Sequence, residues 1–225
     1  MINMLFTFFD QQLDRADFGN HLDSVPQALR ERIGKFRRWQ DAHCSLFGKL
    51  LLIEGLKKYG ISRGILNEIQ YTKYNRPFLT GEIDFNISHS GKAVVCVITQ
   101  NGDIGVDIEE INPIKLEYFT RQFTERELAI IRNAKDNDRE FYRWWTRKEA
   151  IIKADGMGLS LPLKKIRFDG SGQAEINNRT WQMREIALPH EKYCCHLAFD
   201  GKADTPMSIE QYYIGAKLTS QKLNQ

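Results

Sequence analysis

The sequence predicts an α+β fold built as two halves of similar plan. Three observations carry that prediction. Apolar runs at 2–9 and 93–98 and alternating side chains at 83–89 and 104–109 read as strands, whereas 27–59 has the 3.6-residue period of helices. Helical patterns return at 125–155, and strand-like alternation follows over 166–199. Strands and helices in separate runs are the mark of α+β rather than of a parallel α/β sheet.

Composition narrows the class. Among 225 residues, 42% are hydrophobic and 27% charged, the balance of a soluble globular protein large enough for a substantial core. The formal charge of +3 does not describe a general nucleic-acid binder, although local basic clusters can attract an anionic partner. No apolar run approaches the roughly 20 residues of a membrane span. Cys44, Cys96, Cys194 and Cys195 form no CxxC pair, so a reduced, cytoplasmic setting is expected.

Taken in order, residues 2–9 read as a first strand. Asp10 ends the run before any cleavage site, which argues against a signal peptide. A polar connection with Gly19 and Asn20 follows. Ser24 is placed to cap a helix with Pro26 in its first turn. The helical stretch 27–59 is expected to break near Gly34 or Gly48, with Ala42, Leu46, Lys49, Leu50 and Ile53 on one face. Arg30, Arg32, Lys35, Arg37 and Arg38 make its start basic, either as a solvated face or as a surface for an acidic partner or phosphates.

Residues 65–74 read as a strand entering the turn Asn75-Arg76-Pro77. In 83–89, Ile83, Phe85 and Ile87 alternate with Asn86 and Ser88, and Ser88-His89-Ser90-Gly91 ends the strand. A buried strand at 93–98 leads to Gln100-Asn101-Gly102-Asp103, read as a hairpin turn, so that 104–109 would run antiparallel to it. Asn112-Pro113 breaks that strand. Thr124 with Glu127 forms a capping box opening a helix over 125–133. A longer helix over 139–155 ends at Gly156. Short strands are expected at 166–168, 174–176, 181–183 and 193–199, and from Asp204 a polar tail with one short element.

Three constellations could carry chemistry. In Gly105-Val106-Asp107-Ile108-Glu109 the alternation sets Asp107 and Glu109 on one strand face. Strands are poor in Asp, and adjacent carboxylates repel unless a positive charge lies between them. They are either an acidic strand end at the surface or half of a site for a hard divalent cation. On the helix 139–155, Trp145, Glu149 and Lys153 stack at i, i+4 and i+8, with Lys148 beside them. Alone, that is a surface Glu–Lys pair. Combined with the strand, Glu149 completes three oxygen ligands for Mg²⁺, with Lys148 and Lys153 near a phosphorylated ligand. Finally, His89 between two serines could face a phosphate or simply be exposed, and Arg76 could donate to the same anion.

Together, and in this order, Asn86-Ile-Ser-His-Ser90, Gly105-Val-Asp107-Ile-Glu109 and Trp145-Thr-Arg-Lys148-Glu149-Ala-Ile-Ile-Lys153 resemble the signature of 4′-phosphopantetheinyl transferases. The following Gly156-Met-Gly-Leu-Ser-Leu-Pro162 also fits, and the length resembles the monomeric Sfp-type branch. The resemblance covers most of residues 35–170. It implies two α+β halves related by a pseudo-twofold axis, 1–102 and 103–225, with the active site between them. It implies coenzyme A as donor, the serine of an apo acyl or peptidyl carrier protein as acceptor, and 3′,5′-ADP as product. Asp107, Glu109 and Glu149 would hold Mg²⁺ or Mn²⁺. Lys153 would stabilise the leaving group and Lys148 would bind donor phosphates. Ser88, His89 and Arg76 would contact coenzyme A. Glu127 matches the family's candidate general base, although the same residue fits the capping box.

Two departures accompany the resemblance. Arg76 stands where the family often has Lys, and Cys44 where some members have Arg, so Lys35 or Arg38 would have to replace a phosphate contact. A non-catalytic module that binds a carrier protein or nucleotide is the alternative of another class. A nucleic-acid binder using 30–38 has neither a recognised motif nor sufficient charge behind it.

Overall fold

The protein is described here by a computed structural model, which describes residues 1–223. β1 (Ile2–Phe8) is buried over nearly its whole length. Next comes a helix in the expected polar connection, α1 (Arg15–Leu22). Asp14 caps it, accepting the Asp17 N–H at 2.8 Å, and none of its residues is fully buried. A helix held by its cap over a half-wet surface leaves no apolar period to read.

Ser24 does not cap the next helix. Its hydroxyl donates to the His21 carbonyl, and Pro26 stands before α2 (Gln27–Ile33). The helical stretch breaks at Gly34, and α3 (Trp39–Lys57) runs unbroken through Gly48. The strand expected at 65–74 is a 3-10 segment, Arg63–Glu68, followed by the two-residue β2 (Gln70–Tyr71). β2 pairs with β3 (Pro77–Phe78) across a turn in which Asn75 has a positive φ. β4 (Ile83–Ser90) and β5 (Ala93–Gln100) then form a hairpin.

The turn at 100–103 is not a hairpin. β6 (Ile104–Glu110) leaves β5 for a second sheet. α4 (Glu125–Asn133) and α5 (Asn137–Asp155) lie where the sequence places helices, the second beginning two residues before its expected start. Gly156 closes α5 at φ 81°, a conformation that glycine adopts without steric cost. β7 (Arg167–Phe168), β8 (Gln173–Ile176), β9 (Arg179–Glu185) and β10 (Tyr193–Phe199) follow.

The stretch expected to be a polar tail is β11 (Met207–Ile214) and β12 (Leu218–Lys222). Its last two residues, 224–225, lie outside the described residues. β11 runs parallel to β1, with Met4 opposite Ile209. Its polar side chains are paired within the fold: Ser208 donates to Asn3, and Glu210 meets Lys58 at 2.7 Å. Satisfied polar groups inside a sheet look, in sequence, like solvated ones.

The first sheet has the order β12-β11-β1-β5-β4 and the second β6-β10-β9-β8-β7. α3 covers the outer face of the first, packing Leu46, Leu50 and Leu51 near Phe85 and Val94. The inner faces meet through Met4, Phe6, Val95 and Val97 on one side and Val106, Ile108 and Leu197 on the other. α5 covers the second sheet through Ala150, Ile151 and Ala154 near Trp181. Two helix-backed sheets thus form an α+β molecule of two halves. No helix among the described residues is long and apolar enough to cross a membrane.

Candidate active site

The two sheets meet at the edge strands β4 and β6, and side chains do the joining. The outward N–H groups of Ile104, Val106, Ile108 and Glu110 donate to Asp84 Oδ2, Asn86 Oδ1, Ser88 Oγ and Ser90 Oγ, at 2.8, 3.0, 3.4 and 3.0 Å. Every second residue of β4 thereby satisfies every second amide of β6. An unpaired strand edge is covered without a backbone ladder. The alternation seen at Asn86 and Ser88 belongs to this four-residue series.

On the other face of β6, Gly105 admits α5. A Cβ there would strike the Ala150 carbonyl and the backbone of Ala154. This close approach brings Lys153 of α5 down to the strand. Its ammonium donates to Asp107 Oδ1 at 2.5 Å and to Ser88 Oγ at 2.9 Å, while Ser88 donates to the same Asp107 oxygen at 3.1 Å. Ser88 on β4, Asp107 on β6 and Lys153 on α5 therefore form one cluster where the halves join.

Asp107 is only 3% exposed, and its Oδ2 is buried without a hydrogen-bond partner. Burial raises its pKa, while Lys153 and Ser88 pull it back. Glu109 accepts a hydrogen bond from Ser90 at 2.6 Å. Its pKa is raised by burial first and then by the Asp107 charge. Glu149 is pushed up to about 7 by burial, with Asp107 and Glu109 adding to it. The three carboxylates are thus close enough to oppose one another's charge, and one buried oxygen has nothing to bind. That donor set fits a hard divalent cation. The donor chemistry fits but the arrangement is not that of a metal centre: among the described residues no group of three or more His, Cys, Asp or Glu side chains is placed to hold an ion, and Lys153 supplies the local positive charge.

His89 ends β4 beside a cavity of about 270 Å³. Arg32, Lys49, Tyr71, Asn75 and Asn86 line it as well. The imidazole has an exposed side, yet surrounding protein depresses its pKa, and Lys153 adds to the effect. Lys153 thus acts on both the carboxylate cluster and the imidazole at the cavity wall. Neither Lys35 nor Arg38, the expected replacements for a contact at Cys44, is among the lining residues; Arg32 and Lys49 are. The sequence signal for Lys49 was a lone cation on an otherwise apolar helix face. Ser90 was legible as the next step of the Asn86–Ser88 alternation.

Three expected site residues lie elsewhere. Arg76 donates to Asp84 at 2.6 Å and to the Ile104 carbonyl at 3.1 Å, so its guanidinium closes the junction of the halves while Asn75 and Pro77 face the cavity. Lys148 is fully buried. It donates to the Leu163 carbonyl at 2.9 Å and pairs with Glu127 at 2.9 Å, both partners lying inside the fold. Burial lowers its pKa, and Glu127 opposes that. Glu127 has both oxygens engaged: Oε1 with Lys148, and Oε2 with the Thr124 N–H at 2.7 Å. Thr124 returns the hydrogen bond to the Glu127 N–H, so the capping box is complete. A carboxylate paired on both oxygens and only 5% exposed is held as part of the fold and is poorly placed to take a proton from a substrate.

Comparison with known proteins identifies the family. Residues 103–212 match the 4′-phosphopantetheinyl transferase superfamily profile, and residues 12–101 match the profile described as 4′-phosphopantetheinyl transferase, N-terminal. The chain is 34% identical over 175 residues to the 4′-phosphopantetheinyl transferase gsp of Aneurinibacillus migulanus, covering 75% of this chain and 72% of that one. It is 33% identical over 179 residues to the transferase Sfp of Bacillus subtilis (strain 168), covering 75% and 78%. The crystal structure of Thermotoga maritima holo-[acyl-carrier-protein] synthase overlaps 43% of this chain and 61% of its own at 17% identity, and its TM-score of 0.33 is too low to bear on the fold. With the motif residues of β4, β6 and α5 drawn together at one junction, and relatives of this identity and coverage, the chain belongs to the 4′-phosphopantetheinyl transferase family of enzymes.

Proposed function

We propose that the chain transfers the 4′-phosphopantetheine arm of coenzyme A to a serine of an apo acyl or peptidyl carrier protein and releases 3′,5′-ADP. The observation that carries this reading is Asp107, a buried carboxylate with one oxygen held by Lys153 and Ser88 and the other unpartnered. Such an arrangement suits a cation and a phosphate together.

Each residue has a task in that reading. Asp107, Glu109 and Glu149 would hold Mg²⁺, or Mn²⁺, which shares the preference for oxygen ligands. The ion would supply charge neutralisation at the donor's pyrophosphate. Ser88 and Ser90 orient Asp107 and Glu109 by hydrogen bonds. An ammonium has three protons, and Lys153 commits two of them to Asp107 and Ser88. The third is free for the leaving phosphate oxygen, where positive charge matters most as negative charge builds. His89 stands at the cavity for the nucleotide end of coenzyme A. Arg76 and Lys148 hold the frame rather than the donor, and Glu127 is dropped as base because both its oxygens are engaged.

The exposed Arg37 and Arg38 at the entry to α3 are assigned to the acidic surface of the carrier protein. Reversing both charges should raise KM for the carrier more than KM for coenzyme A; equal changes would remove that assignment. A monomer in a reducing compartment completes the reading, and four free, buried cysteines suit it.

Mass spectrometry of apo carrier proteins incubated with the protein, coenzyme A and Mg²⁺ tests the reaction. A phosphopantetheine-sized gain on at least one carrier is expected, and Asp107→Ala should abolish it with the fold intact. A carrier-binding module would bind but leave every carrier unmodified, with the substitution without consequence.

A further inference from the structure

We infer that Thr146 and His196 are positioning residues for the transfer: their buried hydrogen bond fixes the rotation of α5 on the second sheet and so sets Lys153 against Asp107. This rests on the transferase reading above and adds two residues to which that reading gives no role.

α5 meets its sheet in two ways. Gly105 and the Ala198 opposite it let the backbone of Ala150 and Ala154 come close. Apolar contact is non-directional, so it sets how near the helix lies but not how it is turned. The second contact is polar. His196 lies opposite Asp107 in the β6–β10 pair, so both side chains leave the same face of the sheet, toward α5. Thr146 Oγ1 is 2.7 Å from His196 Nδ1 and 2.7 Å from the Tyr142 carbonyl. A carbonyl only accepts and a hydroxyl has one proton, so Thr146 donates to Tyr142 and accepts from Nδ1–H. The imidazole proton is thereby assigned to Nδ1, and Nε2 is left to accept from Arg147 Nε at 3.4 Å. Burial, with the nearby arginines, favours this neutral ring. Thr146 is 0% and His196 1% exposed, so neither touches a substrate.

The register of α5 carries this contact to the reacting groups. Thr146 and Lys153 are seven residues apart, close to two turns, and so share one face of the helix. Helical side chains lean toward the N-terminus, so Lys153 reaches back along that face to Asp107, the cross-strand neighbour of His196. Glu149 stands between them, three residues after Thr146. Turning α5 by about 10° would move an atom ~6 Å from its axis by about 1 Å. Lys153 and Asp107 lie 2.5 Å apart, so a shift of that size takes the pair out of close contact.

Carrier-loading kinetics on the full chain, run below the melting range of every variant, test this. Thr146→Val keeps the shape and removes the hydroxyl. It should lower kcat by about 100-fold, the scale for an ångström of misplacement at a reacting centre. KM for coenzyme A should change far less, because the cavity beside His89 takes no lining residue from α5. Thr146→Ser keeps the hydroxyl and should keep most of kcat. Thermal melts separate positioning from stability. Thr146→Val strands a buried Nδ1–H and should melt lower, whereas Thr146→Val with His196→Leu leaves neither partner unpaired. The double variant should regain much of the melting temperature and none of kcat. Crystal structures of wild type and Thr146→Val give a readout independent of activity: the Lys153–Asp107 contact should be longer by about 1 Å in the variant. Wild-type kcat in Thr146→Val, kcat regained with the melting temperature in the double variant, or an unmoved Lys153 would overturn the inference. Should wild type load no carrier protein while Lys153 moves in the variant, the transferase reading fails and the positioning of Lys153 stands. An active wild type whose Thr146→Val variant keeps both kcat and the contact retains the transferase reading and removes the positioning role.

Discussion

Two lysines on α5, five residues apart, have opposite fates. Lys148 is 0% exposed and sealed against the Leu163 carbonyl and the Glu127 carboxylate, with the Phe123 and Phe168 rings near its ammonium. Lys153 has a side chain 28% exposed and touches Asp107 and Ser88 where the halves join. Five residues rotate a helix by roughly 140°, so the two cannot share a face. The contrast teaches that a lysine's neighbours, rather than its place in a motif, decide between structure and chemistry. A fully matched, buried ion pair is fixed. One partly exposed, with a proton unclaimed, can answer a ligand.

That contrast can be broken by substitution. Asp107→Ala should lower transfer by about a thousandfold or more, the scale for removing preorganised electrostatics at a reacting phosphate. Its thermal midpoint should stay near wild type because Lys153 keeps access to water, and a carrier-loading assay beside a thermal melt checks both. Lys148→Ala should do the reverse. It strands the Glu127 carboxylate at 5% exposure and should cost about 3–5 kcal/mol of stability in urea unfolding. A pairwise change, Lys148→Met with Glu127→Gln, should recover much of that loss, since two neutral groups need no ion partner. Recovery of nothing would show that the cluster is more than a matched pair.

Smaller effects sharpen the same distinction between closed and open sites. His196 is buried beside Thr146 and Arg147, and burial, with the nearby arginines, pushes its pKa down to about 3. The folded state therefore holds it neutral while the unfolded chain protonates near pH 6.5. The stability it contributes is fully present above pH 6.5 and is lost as pH falls toward 3, at about 1.4 kcal/mol per pH unit. His196→Gln should flatten that acid slope in urea titrations at several pH values. Thr124→Ala, which removes half of the capping box over Glu127, should cost about 1 kcal/mol. A much larger loss would mean that the cap also holds the Lys148–Glu127 pair in place.

The elements with strong periodicity or explicit end signals were legible. Thr124 and Glu127 announced α4, and Gly156 closed α5. Asp107 was legible because a carboxylate on a strand breaks a local rule, and Lys153 because it stacks with Trp145 and Glu149 on one helix face; Ser88 became a candidate only through the family resemblance. Their meeting was not, since it depends on Gly105 letting α5 approach β6. Lys148 and Arg76 were misread because charge alone does not reveal that a partner, Glu127 or Asp84, waits inside the fold. The departure of β6 from β5 was hidden for a related reason. Turn residues at Asn101 and Gly102 show that the chain bends there, not which strand it then joins.

The parallel partnership of β1 and β11 bears on how the chain reaches this form. Ile2 lies opposite Met207, so the central strand of the first sheet waits for residues made some two hundred positions later. During vectorial synthesis one flank of β1 stays open after its other neighbour, β5, has emerged. Contacts of such separation slow folding, and an open strand edge invites pairing with a neighbouring chain. The carboxylate cluster and the cleft beside His89 would then be assembled in a nascent chain in which β1 is not yet enclosed, and β11 would protect it from aggregation on joining it.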